Sequence, residues 1–343
     1  MVDDSRAPEV LVIGRCSVDV YPLQVGVKLE DVATFGKFLG GSATNVAVAT
    51  ARYGHRVTAL TGVGDDPFGR FVVAELERFG VDASQVVVND RFNTPVTFCE
   101  IFPPDHFPLY FYRQPTTPDL EIGPGDLPVD LDRYGIVWLT GTGLALEPSR
   151  SAHHAVVAAA VNSTKVLDLD YRERFWGDEA LPRRAMADVL PHIDVAIGNR
   201  EECRIATGEA DPERAADALL AMGVSMAIVK QGPLGTLVKT AGERAFMPPI
   251  PVEVVNGLGA GDAFGGAVCH GLLQGWSPHR IIEFASAAGA LATMHIECAS
   301  IMPTAPEVEA LLAAHPEATA GLEVWSRSTP AAPASPTIGS ELP

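Results

Sequence analysis

Gly259-Ala260-Gly261-Asp262-Ala263-Phe264 follows an extended segment and opens an apolar helix that continues through Val268 and Leu272. Two glycines around one alanine leave the backbone bare enough for an anion to approach. The N–H groups at the helix start then face that anion, and the helix dipole favours it. Asp262 falls in the first turn. A carboxylate there can take a proton from an attacking hydroxyl while the N–H groups hold a transferring phosphoryl group. An acidic first turn is also a common way to begin a helix, so the spacing alone admits both roles.

Three more motifs lie upstream. Gly40-Gly41-Ser42-Ala43-Thr44-Asn45 sets paired glycines before a small-residue helix over 42–53. Asn45 can meet a ligand hydroxyl there, or the segment is a tight turn with a cap. Gly14-Arg15-Cys16-Ser17-Val18-Asp19 follows the apolar run Val10–Ile13. The two acceptor oxygens of Asp19 suit sugar hydroxyls, or simply a turn. Asn199-Arg200-Glu201-Glu202 follows Val195–Ile197. It reads as a capping box, or as an Asn and Glu that orient Mg²⁺, its waters and nucleotide phosphates. Gly62-Val63-Gly64 begins like a dinucleotide fingerprint, but Pro67 stands where a third glycine is required, and no Walker-A motif occurs.

Around these motifs the apolar pattern alternates between periods of two and 3.6. Strands are expected at Val10–Ile13, Arg56–Thr61, Ile136–Thr140, Val166–Asp170, Val195–Ile197 and Met226–Lys230. Helices are expected at about 67–79, 148–162, 182–191, 211–222 and from Pro278 to about His295. This rhythm predicts an α/β fold, a mostly parallel sheet covered by helices. Residues 15–39 and 95–115 break it with short extended pieces, a candidate small sheet forming a lid. One α/β domain is thus read over 1–315, with a Pro- and Ala-rich tail over 316–343 expected to be disordered.

The chain has 343 residues, 47% hydrophobic, and a formal net charge of -18. Such a surface repels phosphate backbones and argues against nucleic acid as a partner. No signal peptide and no membrane-length apolar run are visible, so a cytoplasmic, soluble protein is expected. Cys16, Cys99, Cys203, Cys269 and Cys298 are widely spaced, which fits buried reduced thiols better than disulfides or zinc.

In this order and spacing the motifs resemble the ribokinase-like (PfkB-type) carbohydrate kinases over roughly residues 10–303. The Gly-Gly-to-Asn element matches Gly40, Gly41 and Asn45, the N-x-x-E element matches Asn199 to Glu202, and the G-A-G-D ending matches Gly259 to Asp262. The resemblance implies a three-layer α/β/α core with a small β-sheet lid, often used for homodimerisation. It implies an ATP-dependent kinase that uses Mg²⁺. Asp262 would be the general base, Gly259, Ala260 and Gly261 the anion hole. Asp19, Gly40, Gly41 and Asn45 would line the sugar pocket. Asn199, Lys230, Gly232 and Gly235 would belong to the nucleotide site, with Glu202 acting on the metal through water.

One departure stands out. Asn256-Gly257 replaces the family's usual Asp-Thr, whose aspartate helps hold an activating monovalent cation, so a potassium requirement is not expected. Phe111-Tyr112-Arg113 and Asp168-Leu169-Asp170-Tyr171-Arg172 resemble the sugar-acid branch of the family. Arg113 and Arg172 would there meet a substrate carboxylate, unless they are salt-bridging residues. The surrounding text is most similar to kinases of 5-dehydro-2-deoxygluconate. Kinases of 2-keto-3-deoxygluconate or of neutral sugars are the alternatives, and a non-catalytic sugar or nucleotide sensor on the same fold is a third.

Overall fold

β1 (Val10–Ile13) shows how the sheet is buried. Val10 and Val12 enter one apolar cluster, Leu11 and Ile13 the other, and none is more than 1% exposed. An unbroken apolar strand needs cover on both faces, and it has it. The structure, a computed structural model, describes residues 9–326. The remaining strands are β2 (Ser17–Pro22), β3 (Phe35–Gly40), β4 (Val57–Gly64), β5 (Val86–Asn89), β6 (Val96–Cys99), β7 (Leu109–Tyr112), β8 (Ile136–Thr140), β9 (Thr164–Asp168), β10 (Val195–Asn199), β11 (Met226–Lys230), β12 (Thr236–Thr240), β13 (Glu243–Met247) and β14 (Glu323–Ser326). The helices are α1 (Ser42–Arg52), α2 (Pro67–Arg78), α3 (Ser149–Ala159), α4 (Ala180–Val189), α5 (Arg200–Thr207), α6 (Pro212–Ala221), α7 (Ala260–Leu273), α8 (Pro278–Thr293), α9 (Ala305–Ala314) and α10 (Pro316–Ala320).

Ten strands form the main sheet in the order β14-β13-β12-β11-β10-β9-β8-β1-β4-β5. From β11 to β5 every pairing is parallel, and β12 to β14 close one side antiparallel. Residues of α1, α2, α7, α8 and α9 pack into the first cluster and those of α3 to α6 into the second, which gives the three layers. β1 has β4 on one side and β8 on the other. The strand order turns there, and the crevice beyond the carboxyl ends of the strands is where such folds bind ligands.

β3-β2-β6-β7 make a second, four-stranded sheet over that crevice. Asp19 pairs with Thr97, and Thr97 with Phe111, so the three form one row across a single face. This is the small sheet expected from 15–39 and 95–115.

The C-terminal segment corrects the expectation of disorder from 316. Pro316–Ala320 is helical, and β14 pairs antiparallel with β13. The Arg244 guanidinium lies 4.1 Å over the Trp325 ring. Composition hid this, because one short edge strand needs few apolar residues. Residues 327–343, the rest of the expected tail, lie outside the described residues. Among the described residues no helix is long and apolar enough to cross a membrane. All five cysteines are buried and free.

Candidate active site

Close packing of α1 against α7 builds the centre of the crevice. A Cβ on Gly266 would fall 2.4 Å from the Cβ of Ala49, so only glycine lets the two helices approach this closely. One turn toward both N-termini, the same approach brings Asn45 to Asp262, and Asn45 Nδ2 donates to Asp262 Oδ2 at 2.8 Å. Asn45 Oδ1 is left buried without a partner among the described residues. An orphaned acceptor beside a carboxylate is unusual and suits a ligand hydroxyl.

α7 begins at Gly259, in the left-handed region at φ +81. The first helical bond runs from Ala263 N to Gly259 O, so the N–H groups ahead of it have no acceptor within the helix. A Cβ on Gly261 would come within 3.2 Å of Lys230 Nζ, which places that ammonium against the helix mouth. Although burial works against the charge on Lys230, the carboxylates of Asp168, Glu202 and Asp262 hold its pKa above the ordinary value. Burial first, then the charges of Asp168 and Asp170, push Asp262 up to about 7, against the opposing Asn45 bond and the charge on Lys230. The site therefore joins unpaired N–H donors, an ammonium and a carboxylate poised near neutrality.

The sugar side is closed by glycines. A Cβ on Gly40 would overlap the Asp19 carboxyl at about 2.0 Å, and one on Gly41 (φ +99) would strike Cys16 Cα at 2.5 Å. Asp19 accepts the Tyr21 hydroxyl at 2.6 Å, and burial raises its pKa. Tyr21 also meets Cys298 Sγ at 3.2 Å, and Cys298 lies against Gly259.

A buried ion network backs this wall. Arg15 bonds Asp170 Oδ2 at 2.8 Å, Ser42 Oγ at 3.0 Å and Thr142 Oγ1 at 3.0 Å. Asp170 is a non-glycine at φ +28, a conformation held only where the surroundings fix it. Burial opposes its ionisation, but the charges of Arg15 and Arg172 keep its pKa low. Arg172 reaches Asp170 Oδ1 at 3.2 Å and Glu202 Oε1 at 3.3 Å, with 35% of its side chain exposed. Asn199 and Glu202 form the complete capping box of α5: Asn199 N donates to Glu202 Oε2 at 2.7 Å and Glu202 N to Asn199 Oδ1 at 2.9 Å.

Arg113 stands behind the same wall, at the junction of small sheet and core, near enough for its charge to act on Asp19. It donates to Asp119 Oδ2 at 2.8 Å, Thr117 Oγ1 at 2.9 Å and Cys16 O at 2.5 Å. The pair is dry, with side chains 3% and 0% exposed. The structure thus gathers Asp19, Gly40, Gly41, Asn45 and Asp262 on one flank of the helix mouth, and Lys230, Asn199, Glu202 and Arg172 on the other. Gly232 and Gly235 turn the chain just beyond Lys230, both at positive φ. Sequence reasoning passed over Arg15, Asp168 and Cys298. Asp168, the last residue of β9, opens a motif already singled out and was legible there; the other two acquire meaning only once the fold is known.

The model of the "pfkB family carbohydrate kinase" matches residues 7–305. The chain belongs to the PfkB family of carbohydrate kinases. It is 31% identical over 316 residues to the 5-dehydro-2-deoxygluconokinase of Clostridium perfringens, covering 90% of this chain and 93% of that one. Among solved structures, the PfkB protein of Polaromonas is similar at a TM-score of 0.79 and 26% identity, covering 89% of this chain and 100% of that one. Fructokinase from Vibrio cholerae, bound to fructose, ADP and calcium ion, gives 0.78 and 26%, covering 89% and 99%. The fold is ribokinase-like, and this PfkB protein is a sugar kinase.

Proposed function

We propose that the chain transfers the γ-phosphoryl group of ATP to the terminal hydroxyl of a sugar acid, with 5-dehydro-2-deoxygluconate giving its 6-phosphate. One observation carries the chemistry: Asn45 fixes Asp262 at 2.8 Å, at a helix mouth lined by free N–H groups and Lys230. Asp262 accepts the proton of the attacking hydroxyl, which Asp19 and Asn45 Oδ1 help to orient. The N–H groups and Lys230 take up the charge on the transferring oxygens. The name and 31% identity of the clostridial relative support the choice of acceptor.

Mg²⁺ would neutralise charge on the nucleotide phosphates. The residues suit a metal held through water rather than by a protein cage. Among the described residues no group of three or more candidate ligands exists, and both Glu202 oxygens already accept bonds. Asp168 and Glu202, with Asn199, would receive bonds from that water shell.

A monovalent cation does not fit. Asn256 is fully buried, its Nδ2 donates to Ile296 O at 2.7 Å, and its Oδ1 accepts from Leu258 N at 3.0 Å. A neutral amide here offers a donor to a carbonyl that a cation would otherwise need. The outer face of the small sheet exposes Phe35, Tyr110 and Tyr112, which suits a homodimer formed through it.

ADP release across a panel of sugar acids, ribose, fructose and nucleosides tests the reading. The sugar acid is expected to be the best acceptor, and the rate is expected to be unchanged when KCl is replaced by a tetramethylammonium salt. Better turnover of a neutral sugar overturns the assignment, preference for 2-keto-3-deoxygluconate moves it within the branch, and saturable activation by K⁺ overturns the argument from Asn256. No turnover at all, with binding retained, would favour a sensor.

A further inference from the structure

We infer that Arg174, a residue neither motif singled out, is the side chain that selects an anionic substrate over a neutral one. The inference rests on the sugar-acid reading above and names the group that carries it out.

The electrostatics of the crevice set the problem. A chain of net charge -18 repels a carboxylate from a distance, so an acidic substrate needs a local, uncommitted cation. The other cations around the crevice are matched by the chain's own carboxylates. Arg15 is held by Asp170 and Arg113 by Asp119. Arg172 is shared between Asp170 and Glu202. Lys230 feels Asp168, Glu202 and Asp262. A ligand carboxylate could claim Arg15 or Arg113 only by displacing a partner that would stay behind, buried and unpaired, which is costly, and Arg172 is already divided between two carboxylates.

Arg174 differs. It lies in the short 3-10 turn Glu173–Phe175 that follows Asp170, and it is exposed. Its guanidinium sits 5.7 Å from the centroid of the Phe111 ring, and among the described residues it has no ion-pair partner. Phe111 places it. That ring is in the row Asp19–Thr97–Phe111 on one face of the small sheet, two strand spacings, or about 10 Å, from the Asp19 position. Phe111 also meets Phe175 at 6.0 Å, and Phe175 lies beneath the Arg15 and Arg113 guanidiniums at 5.6 and 6.0 Å. The turn and the small sheet therefore meet at the end of the row remote from Asp19, and Arg174 crowns that meeting.

An extended six-carbon acid has its carboxylate and its terminal hydroxyl at opposite ends. With the hydroxyl at Asp262 beside Asp19 and Asn45, the far end runs toward Phe111. There the planar guanidinium of Arg174 can take both carboxylate oxygens while its face stays on the aromatic ring.

The experiment compares Arg174→Ala and Arg174→Lys with wild type, using 5-dehydro-2-deoxygluconate and fructose as acceptors. For Arg174→Ala the loss in kcat/KM with the acid is expected to be about 10-fold or more, the scale of one charge-assisted hydrogen bond, carried mainly by KM. Fructose should be phosphorylated at the wild-type rate, and lysine should restore part of the loss. Arg172→Ala should instead impair both acceptors, because Arg172 holds Asp170 and Glu202, which back the helix mouth whichever acceptor is bound. Because Arg174 is exposed and unpaired, the variant should melt with wild type, so the kinetic comparison is direct. Equal losses for acid and fructose, or no loss for the acid, would overturn the role of Arg174 while leaving the sugar-acid reading intact. A wild-type enzyme that prefers fructose would overturn both.

Discussion

Asp262→Asn is expected to lose between 10² and 10⁴ of kcat, roughly the contribution of a positioned general base, while still binding nucleotide. The change is nearly isosteric, and an amide can still meet Asn45. It should not cost stability. The folded pKa of Asp262 is raised to about 7 from the usual 3.8, mainly by burial, so the folded state binds more protons than the unfolded one. The stabilisation from holding the proton is complete below the unfolded value and fades as pH rises toward 7. At pH 8 the carboxylate is a burden that asparagine removes, and the variant should melt at or above the wild-type temperature. The same shift sets the rate profile. In the free enzyme the base must be ionised, so kcat/KM should fall as pH drops below about 7, and the Asn variant should lack that limb. A variant that keeps half of wild-type kcat would remove Asp262 from the chemistry.

Arg113→Ala should act on stability first. It leaves the Asp119 carboxylate, with a side chain 0% exposed, facing an empty site. Breaking a buried pair by removing one member costs about 3–5 kcal/mol. Asp119 still accepts Cys16 N at 3.1 Å and the Thr117 hydroxyl at 2.6 Å, which favours the lower end of that range. Because Arg113 also bonds Cys16 O across 97 positions, the small sheet should loosen from the core. A urea midpoint measures the first effect and hydrogen exchange in 17–22 and 96–112 the second. Arg113→Met combined with Asp119→Leu should recover most of the loss, since no charge is then stranded. If Arg113→Ala is as stable as wild type but selectively poor with sugar acids, Arg113 is a carboxylate reader as the sequence suggested, and not a brace.

Arg113 and Arg172 show where the sequence stops being readable. β1, β8 and β11 match their expected bounds, because an apolar run between glycines or polar residues determines a buried strand locally. The start of α7 was legible for the same reason: a glycine at φ +81 followed by an acidic first turn is a local signature. Arg113 and Arg172 were recognisable as residues of interest, but not their partners. Asp119 sits in a one-turn 3-10 segment without periodicity. Arg15 and Asp170 are 155 positions apart, and only the completed sheet brings them together. Arg174 left no signal at all, since an exposed arginine in a turn looks like any surface residue until Phe111 is placed under it. The strand β14 was missed because it is an edge strand of four exposed residues, with no apolar run to mark it.

The central claim is that this PfkB-family chain moves a phosphoryl group from ATP to a sugar-acid hydroxyl through Asp262. The most direct measurement is a ³¹P NMR time course with ATP, Mg²⁺ and 5-dehydro-2-deoxygluconate, run on wild type and on Asp262→Asn. The account predicts a phosphomonoester signal coupled to methylene protons, growing in step with ADP for wild type and nearly absent for the variant. Inorganic phosphate as the sole product, or equal ester formation by both proteins, would contradict it.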